Sequence, residues 1–161
     1  MRTPVFLALA ATALAASLAT SVAAREVAYD FVVCNHARQS PLDAGPEGVA
    51  FGVEQWGIVA SSTTPEFENA TTHCVGTMRV AGGKPSGKGM CKWISAAGDT
   101  ALGEWEVPPS GENRWTWLWG TGAWKGVTGT NSQFKTLGSG KPAAPGTSQS
   151  CRRDWGSYTL P

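Results

Sequence analysis

Two glutamates in the second half of the chain have the spacing of an acid–base pair. Glu104 and Glu106 are two residues apart in an extended stretch, so their carboxylates would share one face of a strand. If that face looked inward, burial would raise the pKa of at least one carboxyl group and suit it to proton transfer. Trp105 and Val107 alternate with them, and apolar side chains belong inside. The pattern therefore favours two solvated glutamates on an outer face.

A third carboxylate and two histidines complete the candidates for acid or base chemistry. Glu54 precedes Trp56, where the alternation of the strand breaks and a β-bulge is expected. Bulges often re-aim side chains at functional sites, so the direction of Glu54 stays open, with an exposed position favoured. His36 and His73 are the side chains whose unperturbed pKa lies near neutrality, and both are interpreted as surface residues.

The tryptophans are the strongest indication of a ligand site. The chain has 8 tryptophans and 20 glycines, a combination that suits a curved sheet with rings filling its interior. Every second residue from Trp115 to Trp119 is a tryptophan, which predicts a strand with three rings on one face. Such rings either plug an interior or line an apolar or sugar-stacking cavity. The residues predicted to contact a ligand are Trp56, Trp105, Trp117 and Trp119, and the remaining rings are expected to be plugs.

The N-terminus has the pattern of an export signal. Arg2 precedes an Ala/Leu-rich run over residues 5–18, and Val22-Ala23-Ala24 is a small-residue cleavage site. We expect a signal peptide over 1–24 and a mature domain over 25–161, secreted or periplasmic, with no later segment apolar enough to span a membrane. Without Arg2 the 13 basic residues become twelve and balance the 12 acidic ones. This balance gives no basis for nucleic-acid or anionic-membrane binding.

The four cysteines predict two disulfide bonds. An even number of cysteines in an exported chain is typical of disulfide-bonded domains. Gly82-Gly83 is a two-residue hairpin signal, and Cys74 and Cys91 are equidistant from it, so a regular hairpin would place them opposite each other. Cys34 and Cys151 would then join the first strand to the last.

Two alternatives to this pairing stay open. Pro85 lies in the second arm of the hairpin and could shift its register. His73, Cys74 and Cys91 could instead hold a metal ion, although the spacing of common zinc sites is missing. Motifs for nucleotide binding or for a serine nucleophile are missing as well, so no cofactor is expected.

The strand and turn pattern predicts an all-β domain with little helix. β-rich stretches separated by Gly, Pro and Asn occur at 27–34, 49–61, 71–81, 88–95, 101–107, 115–119, 127–130, 133–137 and 155–160. The polar segments 35–48 and 138–150 are predicted to be loops. About eight short-linked strands indicate one antiparallel barrel or sandwich, and the curving glycines favour the barrel. An eight-stranded barrel is either filled by side chains or holds one small ligand.

The chain resembles the allene oxide cyclase-like barrel proteins, a superfamily that includes plant dirigent proteins. The segment from Trp119 to Gly129 is similar to their signature Gly-Thr-Gly-x-aromatic-x-Gly-Ile/Val-x-Gly. The preceding half of the repeat is resembled by Gly89-Met90-Cys91, Gly98-Asp99 and Glu104-Trp105-Glu106. The resemblance implies an eight-stranded antiparallel barrel, often oligomeric, with a central apolar cavity. The catalytic carboxylate, asparagine and tyrosine of the plant enzymes match no position here.

Three functions follow as expectations. The first is binding of a small apolar or aromatic molecule inside the barrel. The second, implied by the resemblance, is a cyclase or isomerase that steers ring closure of a reactive intermediate. The third is a non-catalytic envelope or host-facing interaction protein with a filled barrel. Asn69 lies in an N-glycosylation sequon, which matters only in a eukaryotic source.

Overall fold

Eight antiparallel strands close into a single barrel in sequence order, which confirms the predicted fold class. The structure is a computed structural model that describes residues 23–42, 45, 48–111 and 113–161. The expected signal peptide falls almost entirely outside these residues. No helix in the described ranges is long and apolar enough to cross a membrane. The strands are β1 (Arg25–Leu42), β2 (Gly48–Ser62), β3 (Thr71–Ala81), β4 (Lys84–Ile94), β5 (Thr100–Val107), β6 (Arg114–Gly120), β7 (Thr128–Gly140) and β8 (Thr147–Leu160).

Large parts of the two segments predicted to be loops belong to strands. The prediction was wrong for 35–42, 48, 138–140 and 147–150, whereas 141–146 is a loop as predicted. β1 continues through the polar residues after Cys34 as far as Leu42, and β8 already begins at Thr147. Their pairing runs from Arg25↔Leu160 to Arg38↔Thr147. The backbone hydrogen bonds of this ladder hold polar residues in strand conformation, because strand formation depends on partners more than on intrinsic preference.

Both predicted disulfide bonds are confirmed. Cys74 and Cys91 are directly opposite on β3 and β4, and Cys34 and Cys151 are directly opposite on β1 and β8. Cys74 and Cys91 are buried in the barrel. Cys34 alternates with the buried Val33 and therefore points to the outer face. One bridge thus belongs to the interior wall and the other to the outside.

One end of the barrel is plugged, and we call it the base. The connections β2–β3 and β6–β7 each contain a 3₁₀ turn, Pro65–Phe67 and Gly122–Trp124, and each turn buries its aromatic ring completely. The two rings are 5.3 Å apart between centroids, and Phe67 also meets the Trp93 ring edge-on at 5.7 Å. The opposite end, which we call the rim, carries the connections β1–β2, β3–β4, β5–β6 and β7–β8. The hydrophobic core therefore lies toward the base.

Glycines in the wall make room for tryptophan rings. A Cβ atom on Gly76 or Gly89 would lie 2.4 Å or 2.6 Å from the Trp105 indole, and one on Gly103 would lie 2.2 Å from Trp115. Real Cβ contacts are not this short, so these rings rest directly on bare backbone. The expected pairing of rings and glycines in a curved sheet is found at these positions.

A bulge in β6 changes the direction of the last tryptophan of the alternating stretch. Gly103 pairs with Trp117 but Leu102 pairs with Trp119, so Leu118 is an extra residue. Trp117 is 4% exposed and points inside, whereas Trp119 is 49% exposed on the outer face. The prediction that all three rings share one face was therefore wrong, because a bulge reverses the alternation.

The bulge expected at Trp56 lies elsewhere. The ladder of β1 and β2 is regular there, and its register shifts between Val32 and Val33, where Ala60 is the extra residue. Trp56 keeps its place in the alternation and points outward.

The seam between β6 and β7 is the weakest in the wall. Within the described residues these strands pair only at Trp117↔Gly129, whereas β1 and β8 pair along fourteen positions. Beyond that point the described residues of β7 pair with β8 and not with β6.

Candidate functional site

An interior cavity of about 310 Å³ lies between the aromatic core and the rim. The rings of Tyr29, Phe31, Trp93 and Trp117 form its inner end. Tyr29 stacks on Phe31 with centroids 5.6 Å apart, and the Trp117 ring meets Tyr29 edge-on at 6.3 Å. This packed cluster holds the inner end rigid. The wall toward the rim adds Phe51, Val53, Met78, Trp105, Trp115 and Phe134.

A partly buried ion pair, Arg152 with Asp154, lies in the cavity wall. Phe31 pairs with Asp154 and Val33 with Arg152, so alternation directs both β8 side chains inward. The Arg152 Nε lies 3.0 Å and 3.1 Å from the two carboxylate oxygens of Asp154 and donates a hydrogen bond to Oδ2. The Arg152 guanidinium also lies 5.2 Å from the Phe134 ring centroid, within cation–π range.

Burial dominates the electrostatics of Asp154. It raises the pKa of this carboxyl group above its ordinary value, and the neighbouring Arg152 opposes the shift. The Oδ1 atom is buried and accepts no hydrogen bond from a described residue. A carboxyl group in this position holds a proton more readily than one in water. It is therefore the cavity group best suited to proton transfer.

Tyr29 is a poor candidate for a base. Burial raises its pKa to about 12, and the Ser132 hydroxyl opposes the shift. The phenol therefore keeps its proton at neutral pH and can act only as a hydrogen-bonding group.

Sulfur forms part of the wall opposite the ion pair. The Cys74–Cys91 disulfide lines the cavity together with Met78. Soft, polarisable sulfur packs well against aromatic rings, so this side of the cavity favours aromatic ligands.

The predicted carboxylate candidates lie away from the cavity interior. Glu104 and Glu106 point outward from β5, as the alternation favoured, although Glu106 also reaches the margin of the cavity at the rim. Glu106 lies 4.0 Å from the exposed Arg114. Glu54 is on the outer face, where its Oε1 lies 2.9 Å from the Nε2 of His73.

Two of the four tryptophans predicted to contact a ligand line the cavity. Trp105 and Trp117 contribute to the wall. Trp119 is outside because of the β6 bulge, and Trp56 is outside because it pairs with the outward His36.

The outward Trp56 is part of a stack of rings across three strands. His36 and His73 flank it on β1 and β3, with centroids 6.4 Å and 5.4 Å from the indole and interplanar angles of 22° and 4°. Gln149 is within hydrogen-bond distance of His36, at 3.1 Å. An imidazole thus neighbours the Trp56 indole on each side, and the ring is 39% exposed on the outer face, away from the barrel cavity.

Sequence reasoning missed Arg152, Asp154 and Tyr29. A signal for the first two exists in the alternation around Cys151. Once Cys34 is placed opposite Cys151 and outside the apolar run ending at Val33, alternation turns both charged β8 residues inward. Tyr29 lies two and four residues before Phe31 and Val33 in the same strand, so the same alternation predicts that its side chain points inward.

No group of three or more His, Cys, Asp or Glu side chains in the part of the chain that the structure describes is placed to hold a metal ion.

The fold and site define an eight-stranded antiparallel barrel, plugged at its base, with a largely apolar interior cavity whose wall holds the partly buried Arg152–Asp154 pair. No protein family, curated protein or solved structure matches this chain.

Proposed function

We propose that this protein binds a small apolar or aromatic molecule in its barrel. The observation that carries the proposal is the cavity of about 310 Å³, whose wall is mostly apolar, with eight aromatic residues and four charged ones. Ligand pockets of about 300–1,000 Å³ with an apolar lining and a few orienting polar groups are the common form of small-molecule sites. A barrel of eight strands has the width to hold one such molecule.

Export of the protein is part of the same proposal. The N-terminal pattern at 1–24 and the two disulfide bonds support it, because disulfides persist in oxidising compartments. Membership of the allene oxide cyclase-like superfamily is likewise proposed, on the signature from Trp119 to Gly129 together with the eight antiparallel strands.

A cyclase or isomerase is the second candidate function, favoured by Asp154. A carboxyl group with a raised pKa inside an apolar cavity can exchange a proton with a bound molecule. In that case Asp154 is the acid or base, and the aromatic wall holds the reacting molecule in a folded conformation.

Tryptophan fluorescence tests the binding proposal. Titration with a panel of neutral aromatic compounds, such as naphthalene and biphenyl, is expected to change the emission of the native protein. The Trp117→Phe variant should lose part of this change, because Trp117 lines the cavity. The matched Trp119→Phe variant should keep it, because that ring is on the outer face.

The panel also separates the three functions. If no compound changes the emission, the proposal fails and a filled barrel that acts through its outer surface takes its place. If a compound binds and is then converted, loss of conversion in Asp154→Asn with binding retained would establish the isomerase.

A further inference from the structure

Arg152 has hydrogen-bond donors left over inside the cavity. Its Nε donates to Asp154 Oδ2 at 3.1 Å, but its two terminal amino groups make no hydrogen bond to any residue in the described ranges. The side chain is 23% exposed and lines the cavity. A guanidinium has five N–H donors in a planar fork, so four of them remain for another acceptor.

The ring of Phe134 holds that guanidinium in place. The Arg152 Cζ lies 5.2 Å from the Phe134 centroid, and both residues line the cavity. Contact with Phe134 on one side and Asp154 on the other restricts the Arg152 side chain to few rotamers. Little conformational entropy is therefore lost when the guanidinium binds a ligand. A carboxylate is the partner whose two oxygens match two parallel N–H groups of a guanidinium.

We propose that the ligand of the cavity is a compact aromatic carboxylic acid, with its ring against the aromatic wall and its carboxylate on the terminal amino groups of Arg152. This inference rests on the proposed binding function and specifies its ligand class. The volume of about 310 Å³ accommodates an aromatic body of one or two rings.

Asp154 is compatible with an anionic ligand beside it. Burial already disfavours its charged form, and a second carboxylate nearby disfavours that form further. A protonated Asp154 then donates its O–H to the bound carboxylate. Two carboxyl groups sharing one proton next to a guanidinium form a favourable arrangement in an apolar site.

Three probes that differ only in their substituent test the ligand class. Isothermal titration calorimetry with 2-naphthoic acid, 2-naphthalenemethanol and 2-naphthylmethylamine at neutral pH compares an anion, a neutral molecule and a cation on the same ring system. We expect the acid to bind about 10- to 100-fold more tightly than the alcohol, the range of a hydrogen bond between charged groups. The amine should bind most weakly.

Two arginine variants localise the preference. In Arg152→Met the acid should bind no more tightly than the alcohol. The matched Arg153→Met variant should keep the preference, because Arg153 is the next residue on β8 and pairs with Asp30 on the outer face. Since Arg152→Met leaves Asp154 without its partner, the double variant Arg152→Met/Asp154→Asn repeats the test without a buried unpaired carboxylate.

The outcomes distinguish the two proposals. If the alcohol binds as tightly as the acid, or if the preference survives the loss of Arg152, the inference about carboxylates is overturned while the binding function stands. If none of the three probes binds, the binding function fails and the ligand class fails with it.

Discussion

Asp154 is the residue whose environment departs furthest from that of an ordinary surface carboxylate. Its side chain is buried in the cavity wall, and its Oδ2 accepts one hydrogen bond, from the Nε of Arg152. Its Oδ1 accepts no hydrogen bond from any described residue. Its folded pKa is raised, so the folded state binds the proton more tightly than the unfolded state does. Linkage then requires stability to fall as the pH rises from the unfolded pKa through the folded one.

We predict that Asp154→Asn changes the unfolding free energy by an amount that depends on pH and becomes more favourable to the variant as the pH rises. The difference in unfolding free energy, variant minus native, should increase as the pH rises above about 4 and level off above the folded pKa of Asp154. Urea denaturation at a series of pH values measures it. Arg153 lowers the pKa of Asp30, so the contribution of Asp30 to stability changes with pH in the opposite sense. This contribution is the same in both proteins and cancels in the difference. A difference that is constant, or that shrinks with rising pH, would contradict the raised pKa.

At the scale of elements, the sequence predicts the barrel well and its bulges poorly. Alternating apolar residues and Gly82-Gly83 suffice to place β3 and β4 in register, down to the Cys74–Cys91 pair. The bulge at Leu118 leaves no such pattern, because the tryptophans alternate through it without interruption and the extra residue shows only in the register with β5. The predicted direction of the Trp119 side chain was wrong for this reason.

The ion pair of the site escaped prediction for a different reason. Arg152 and Asp154 lie in a polar segment whose strand character comes from its long-range partners in β1. Local sequence carries no information about a partner more than a hundred residues away unless a constraint such as the Cys34–Cys151 bridge is used first.

A pair of glycine variants tests the packing of rings on bare backbone. In Gly103→Ala the new Cβ would lie 2.2 Å from Trp115 Cζ2 and 2.9 Å from the Thr116 carbonyl oxygen. Overpacking of this kind costs about 1–3 kcal/mol of unfolding free energy. Gly138→Ala is the matched control, since no heavy atom lies within 4 Å of its Cβ position, and its effect should be neutral or stabilising by up to about 1 kcal/mol. Equal stabilities of the two variants in urea unfolding would contradict the packing argument.

At the scale of the whole molecule, the two disulfides have different environments. Cys74 and Cys91 are 4% and 2% exposed inside the barrel, whereas Cys34 and Cys151 line a groove on the outer face. The outer bridge spans 117 residues and the inner one 17. Loss of a native bridge costs about 2–5 kcal/mol in small exported domains, and closing a longer loop constrains the unfolded chain more.

In the native protein the outer disulfide bond should therefore be reduced before the inner one. Graded dithiothreitol followed by alkylation and peptide mass spectrometry should label Cys34 and Cys151 first, because thiol exchange requires access to a sulfur atom. Cys74 and Cys91 should become labelled later, because inside the barrel a thiol can reach them only through the cavity. Simultaneous labelling of all four thiols in folded protein would contradict the interior position of the second bridge.

The pairing of β1 with β8 also determines how the molecule responds to mechanical load. A force drawing Arg25 and Leu160 apart would separate nine opposed residue pairs in turn and then reach the covalent bond between Cys34 and Cys151. The freed segments, nine residues on each side, extend by about 60 Å in total. Beyond that point the tension passes through the sulfur atoms, and residues 35–150 carry none of it.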